Sequence, residues 1–281
     1  MQIFQHCLPD ASKIARYYAK IAVRALYDEV SLYPKPGLVS FVDSGAHRDM
    51  NGELFFRSLF GLRHYFLKVA FHSAQGEPLQ NLVKLGLDAE TRMHAITCGI
   101  NTHRGAIFAL GIVCATISRL SSQKTRFSTI DLQQAIVEDW APYLQEVHRI
   151  ENTHGALVKK KYNVPDARDM AIRGYEPVFN AFHELADMRL TDKTFLGLLA
   201  YKKLLLSIDD INILYRTGPN GLAYARYHIQ KAIVLNDRET SILKATKLHR
   251  LFSRNNISPG GVADLLGLVY FLQHVFSGYI S

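Results

Sequence analysis

Five connecting stretches of the chain gather side chains that can bind anions, hold a hard cation or move protons. In Tyr33-Pro-Lys-Pro-Gly-Leu-Val39 the rings of Pro34 and Pro36 fix φ and forbid helix, so the segment is stiff and can aim a side chain. Lys35 of this loop suits phosphate, as do His47 and Arg48 of the stretch Asp43-Ser-Gly-Ala-His-Arg-Asp49. Asp43 and Asp49 suit a hard cation through oxygen ligands. The competing reading is a helix connector with solvated charges. In Cys98-Gly-Ile-Asn-Thr-His-Arg-Gly-Ala-Ile-Phe108, Asn101 or Thr102 is placed to cap a helix, with His103 and Arg104 at its positive end, an arrangement for an anion. Glu90, one helix upstream, could face the same ligand or simply water.

Asn152-Thr-His-Gly-Ala-Leu-Val-Lys-Lys-Lys161 reads as a helix end at His154-Gly155 followed by a cationic loop. With Arg168 it could close over a triphosphate, or it could be a solvated surface. Ser207-Ile-Asp-Asp-Ile-Asn-Ile-Leu-Tyr-Arg-Thr-Gly218 sets Asp209, Asp210, Asn212 and Arg216 between helical stretches. Those types suit Mg²⁺, which keeps several waters and takes one or two carboxylates with substrate phosphates; an Asx cap is the plainer alternative. In Asn255-Asn-Ile-Ser-Pro-Gly-Gly-Val-Ala-Asp264, Ser258 and Pro259 start a helix as N-cap and N1. Gly260 and Gly261 in its first turn each cost roughly 1 kcal/mol relative to Ala. Close approach of a ligand phosphate to bare backbone would explain them, with Asp264 one turn on at the same mouth; tight helix packing is the rival explanation.

The elements that must position these stretches are helices. Apolar residues recur at helical spacing from Ile14 to Leu26, a stripe stopped by Pro34, and over Glu53–His72, Leu79–Ile96, Arg104–Leu120, Ile130–Ile150, Lys193–Ile208, Leu222–Val234 and Ser241–Phe252. A last helix is predicted over Pro259–Phe276. No succession of alternating strands is present, and no Gly/Ser linker, low-complexity run or internal repeat divides the chain. The expectation is one compact all-α domain over residues 1–281.

Composition narrows the function classes. Apolar residues make up 48% and charged residues 21%, which suits a globular chain with a sizeable core and excludes disorder. A net charge of +8 favours polyanionic partners, whether nucleic acid, an acidic membrane face or a small polyphosphate. Cys7, Cys98 and Cys114 are too scattered for a disulfide framework or a thiolate zinc site, so a reducing, cytoplasmic setting is expected. The N-terminal residues lack the pattern of a secretory signal, and no run approaches the ~18 unbroken apolar residues of a membrane span. The charges do not collect on a recognisable recognition helix, which speaks against a nucleic-acid-binding module without chemistry.

Taken in order, the motifs Glu29-Val-Ser-Leu-Tyr-Pro-Lys-Pro-Gly-Leu-Val39, Ser44-Gly-Ala-His-Arg-Asp-Met50, Asn101-Thr-His-Arg-Gly-Ala-Ile-Phe108, Asp210-Ile-Asn-Ile-Leu214 and Ser258-Pro-Gly-Gly261 with Ala263-Asp264 resemble the triphosphoribosyl-dephospho-CoA synthase family. The resemblance implies a transferase for which ATP and 3′-dephospho-CoA are substrates. The acceptor's 2′-hydroxyl displaces adenine at C1′ of ATP, giving the prosthetic-group precursor of citrate lyase or malonate decarboxylase. It implies a triphosphate clamp normally holding Mg²⁺, a carboxylate near C1′ and a proton donor for adenine. Lys35, His47, His103 and Arg104 are the phosphate candidates, joined by Asn101, Arg168, Arg216, Ser258, Gly260 and Gly261. Asp49, Glu90, Asp210 and Asp264 form the carboxylate pool, with His103 also a catalytic candidate and Asp49, Asp210 and Asp264 the metal candidates. The chain departs from the family pattern at Asp169, Met170, Ile211, Tyr215, Thr217 and Val262, which leaves open a related phosphoribosyl-polyphosphate transferase with another acceptor.

Overall fold

A computed structural model describes residues 10–147, 153–188 and 191–276. Among these it contains twelve helices and no strand: α1 (Ala11–Ser31), α2 (Gly52–Ala74), α3 (Leu79–Ile96), α4 (Arg104–Gln123), α5 (Thr129–Glu146), α6 (His154–Tyr162), α7 (Ala167–Ile172), α8 (Glu176–Asp187), α9 (Lys193–Ser207), α10 (Ile211–Ala232), α11 (Arg238–Arg254) and α12 (Gly260–Phe276). The apolar stripes are what fold inward. In α1, Ile14, Tyr18, Ile21, Ala22, Ala25 and Leu26 are buried at helical spacing, and this face packs on α2, α4 and α12. Helix α4 is buried along most of its length and forms the centre of one continuous core. By length and composition α4 could cross a membrane, which the search for unbroken apolar runs did not anticipate, yet 78% of its apolar window lies inside the bundle.

Four helices depart from the expectations. His154-Gly155 begins a helix instead of ending one: Thr153 caps α6 by accepting from the Ala156 amide. The lysine run is therefore helical, and Lys159 pairs with Asp169. The segment ahead of Lys193 folds into α7 and α8, which were not predicted. The predicted helix Leu222–Val234 is only the second half of α10, which starts at Ile211 and turns at Gly218 (φ 68) before Pro219. Proline there lacks the amide that a continuous helix would use, and glycine supplies the left-handed turn. The predicted end of the fifth helix at Ile150 lies outside the described residues; α5 ends at Glu146.

Candidate active site

A cavity of about 1880 Å³ lies against the first turns of α4, walled by α3, α5 to α9 and the start of α12. Among the sequence candidates, Glu90, Asn101, Arg104, Arg168, Asp209, Asn212, Gly261 and Asp264 line it. Asn101 accepts from the Arg104 amide, 3.1 Å away, so it helps to start α4 as expected. Arg104 reaches across to Glu90 at 3.1 Å. Asp264 projects from α12 onto the opening turn of α4. A Cβ on Gly105 would lie 2.6 Å from the Asp264 Cγ, so only glycine admits the carboxyl group there, and the Ala106 amide donates to it. Burial first, then the neighbouring carboxylates Glu29 and Asp210, push the Asp264 carboxyl well above its usual range. Lining cations include Lys160 and Arg173 beside Arg104 and Arg168, whereas Leu82, Val83, Leu87, Phe108 and Ile112 make an apolar stretch between α3 and α4.

Behind this wall three candidates are buried, and their partners revise what was expected of them. Asp210 is fully buried and caps α10: one oxygen accepts from Asn212 and Ile213 at 2.9 and 3.0 Å, and the other from Val262 of α12 at 2.9 Å. Burial raises its carboxyl to about 6 against the pull of those amides. The cap of α12 is thus Asp210 from a distant loop. Ser258, expected in that role, instead pairs its hydroxyl with His47 Nε2 at 2.8 Å. The two glycines have their explanation in the same place. A Cβ on Gly260 would lie 2.7 Å from Asn212 Nδ2, and one on Gly261 would lie 3.0 Å from Asp210 Oδ2, so the start of α10 occupies the space anticipated for a ligand phosphate.

Lys35, expected to meet phosphate, is fully buried and donates to the Glu29 carbonyl at 2.6 Å and to the Glu29 carboxylate. Tyr201 donates to the Pro36 carbonyl at 2.7 Å and fixes the loop from outside. His103, read as a cation, is also buried. Burial foremost, with Lys35 nearby, lowers its imidazole to about 3, so it is neutral at physiological pH. Its Nδ1 lies 2.8 Å from the Ser58 hydroxyl, which accepts from Thr102; its Nε2 is buried with no partner.

The remaining candidates gather elsewhere. Arg216 donates to the Ala46 carbonyl at 3.1 Å and to the Asn256 side chain at 2.9 Å, and stands 3.2 Å from His47 Nδ1. Burial, then the Arg216 charge, lowers the His47 imidazole. Asp49 is 3.5 Å from His47 and 61% exposed. This group ties the loop after α1 to α10 and to the loop before α12, and none of its members is on the cavity wall. Arg168 is turned back onto the Leu144 and Val147 carbonyls at the end of α5. Among the described residues no three His, Cys, Asp or Glu side chains converge as a metal-binding group.

Sequence reasoning passed over Glu29, Ser58 and Tyr175, the last a buried residue on the cavity wall. Glu29 opens the first motif and has Lys35 six positions on, a signal that could have been read. Ser58 and Tyr175 carry none, because each is placed by contacts between distant helices.

Comparison with known proteins finds relatives along nearly the whole chain. A family model described as ATP:dephospho-CoA triphosphoribosyl transferase matches residues 15–279. A probable 2-(5''-triphosphoribosyl)-3'-dephosphocoenzyme-A synthase of Acinetobacter calcoaceticus is 32% identical over 291 aligned positions, covering 100% of this chain and 99% of that protein. A protein of the same name from Azotobacter vinelandii is 32% identical over 98% of this chain and 96% of its own length. Protein CitXG of Haemophilus influenzae is 30% identical over 88% of this chain and 57% of its own length. No solved structure matches significantly. The family match over residues 15–279 and these relatives show that the chain belongs to the ATP:dephospho-CoA triphosphoribosyl transferase family.

Proposed function

We propose that this protein joins ATP to 3′-dephospho-CoA with release of adenine, and that residues 1–281 act as one catalytic domain. The observation that carries the site assignment is the placement of Asp264: its carboxyl group meets the first turn of α4 inside a cavity large enough for two nucleotides. In the reaction the acceptor's 2′-hydroxyl oxygen bonds to C1′ of ATP as the bond from C1′ to N9 of adenine breaks. The electron pair leaves with adenine, and the hydroxyl proton ends on it. A group that takes one proton and returns one is required, and a carboxyl group raised toward neutrality suits both halves of that exchange. Asp264 is that group. Arg104, with Lys160 and Arg173 on the wall, attracts the triphosphate. The apolar stretch of Leu82, Val83, Leu87, Phe108 and Ile112 suits the uncharged pantetheine arm of the acceptor.

Magnesium belongs to the same reading as a companion of the triphosphate. It commonly keeps several waters and uses one or two carboxylates with substrate phosphates. Of the three metal candidates only Asp264 is on the wall, since the Asp210 oxygens already accept backbone amides and Asp49 lies elsewhere, and as Asp264 is the proton carrier here the ion would be held by the phosphates and water. The ion would neutralise phosphate charge. Lys35, His103 and Asp210 hold the wall in position, and His47, Arg216, Ser258 and Gly260 hold the neighbouring loops. A cytoplasmic setting and supply of a prosthetic group to an acyl carrier subunit complete the proposal.

The test is incubation with ATP, Mg²⁺ and 3′-dephospho-CoA, following free adenine by mass spectrometry. Adenine should appear only with an acceptor bearing a free 2′-hydroxyl, and Asp264→Asn should abolish its release without unfolding the protein. Formation of ADP or AMP without adenine would sink the reaction class.

A further inference from the structure

Between α7 and α8 the chain turns through two successive left-handed residues, Gly174 (φ 64) and Tyr175 (φ 52). Glycine enters that region freely, but a bulky L-residue held there is strained, and such strain persists only where the surroundings impose it. The surroundings are tight, since a Cβ on Gly174 would lie 2.8 Å from the Val137 side chain. The turn puts Tyr175, only 1% exposed, on the wall of the cavity that holds Asp264. There its hydroxyl is buried with no hydrogen-bond partner. Buried hydroxyls are nearly always paired, so an orphan of this kind asks for a partner that arrives later. Tyr65, a neighbouring phenol on the same wall, gives its own proton to the Ile107 carbonyl at 3.0 Å. Burial, then Tyr65 and Asp264, push the Tyr175 phenol well above its ordinary range, so it stays a neutral donor. Backbone strain and an unsatisfied donor at one cavity residue beside the reacting carboxylate are local costs of the kind found at functional positions.

We infer that Tyr175 is a catalytic residue: its hydroxyl donates a hydrogen bond to a ring nitrogen of the purine that leaves ATP, beside Asp264. The inference rests on the nucleotide reading given above. As the bond from C1′ to N9 breaks, the electron pair moves onto the purine, and a fixed donor in a dry site stabilises the charge growing there. Tyr175 keeps its proton; the one that ends on adenine comes from the acceptor hydroxyl.

Tyr175→Phe is the decisive variant, because it removes one oxygen and nothing that the fold uses. The variant should melt at the same temperature as the parent or higher, since a buried unpaired hydroxyl opposes folding. It should bind adenine about tenfold more weakly, the loss of roughly one good hydrogen bond, while binding ribose 5-triphosphate as the parent does. Its kcat for adenine release should fall by at least as much. A lower melting temperature would mean that the hydroxyl has a structural partner, and equal adenine affinity in the two proteins would mean that it does not meet the base; either overturns the assignment. If the parent binds adenine in this Tyr175-dependent way yet never releases it from ATP, the proposed reaction fails and Tyr175 stands as a base-binding residue.

Discussion

Two sets of titratable groups sit on either side of one wall and are treated in opposite ways. Behind it, Glu29, Lys35, His103 and Asp210 are out of water, and each of them is held mainly by the protein: carboxylate to ammonium, imidazole to serine, carboxylate to backbone amides. On the cavity side, Arg104 pairs with Glu90 at 43% side-chain exposure, and Lys160 and Arg173 are exposed. Desolvation explains the difference. A charge removed from water is tolerated only with a partner, and once paired it is a fixed strut with little left for a ligand. A rim cation keeps its hydration and can exchange it for phosphate oxygens. Residue type therefore says little about role in this chain, since Lys35 and Arg104 were the same kind of candidate in the sequence.

The sharpest way to break this comparison is Lys35→Met. It leaves Glu29 buried and unpaired and should cost about 3–5 kcal/mol of stability in urea unfolding. Adding Glu29→Gln should recover most of the loss. A cost below about 1 kcal/mol would mean that the pair is no strut.

Asp210→Ala comes next. It uncaps α10 and strips the tie to α12, leaving several buried amides unsatisfied, for an expected loss of about 2–4 kcal/mol. A role in holding a cation alone predicts no such loss, and thermal unfolding decides between them.

A smaller effect is a pair of opposing pH slopes, each limited to about 1.4 kcal/mol per pH unit. The Asp210 carboxyl is raised from 3.8 to about 6 on folding, so its contribution is fullest below pH 3.8 and is lost as pH rises through 6. The His103 imidazole is lowered from 6.5 to about 3, so its contribution is present above pH 6.5 and is lost as pH falls toward 3. Relative to the parent, Asp210→Asn should remove the first slope and His103→Gln the second. Parallel stability curves between pH 4 and 6 for all three proteins would contradict both assignments.

Smallest in stability are the rim changes. Arg104→Ala and Lys160→Ala should shift stability by no more than about 0.5 kcal/mol. Each should weaken ATP binding about 10- to 150-fold, the worth of one charge-assisted hydrogen bond. Calorimetry showing unchanged ATP affinity in both would move the triphosphate elsewhere.

Much of this protein was determined by local sequence. The apolar period placed α3 over Leu79–Ile96 with both ends correct and marked α1, α2, α4 and α9 closely, because one-sided burial writes a 3.6-residue repeat into any helix. It missed α6 and α7, which are short or lysine-rich, and also α8, although Val178, Phe179, Phe182 and Leu185 are buried there at helical spacing. Of the residues on the cavity wall, sequence alone singled out Asp264, Glu90 and Arg104, whereas Gly105 beside Asp264 stood only as one letter of a motif. Tertiary structure decided which charges face the ligand. Lys35 and Asp210 were indistinguishable by type from rim residues until the folded chain surrounded them. Ser258 gave up its cap to an aspartate 48 positions away. Tyr175, with no motif around it, reached the cavity only because a strained turn between two unpredicted helices put it there. Caps and periodicity act within a few residues and can be read along a line, but desolvation depends on what all the other helices cover.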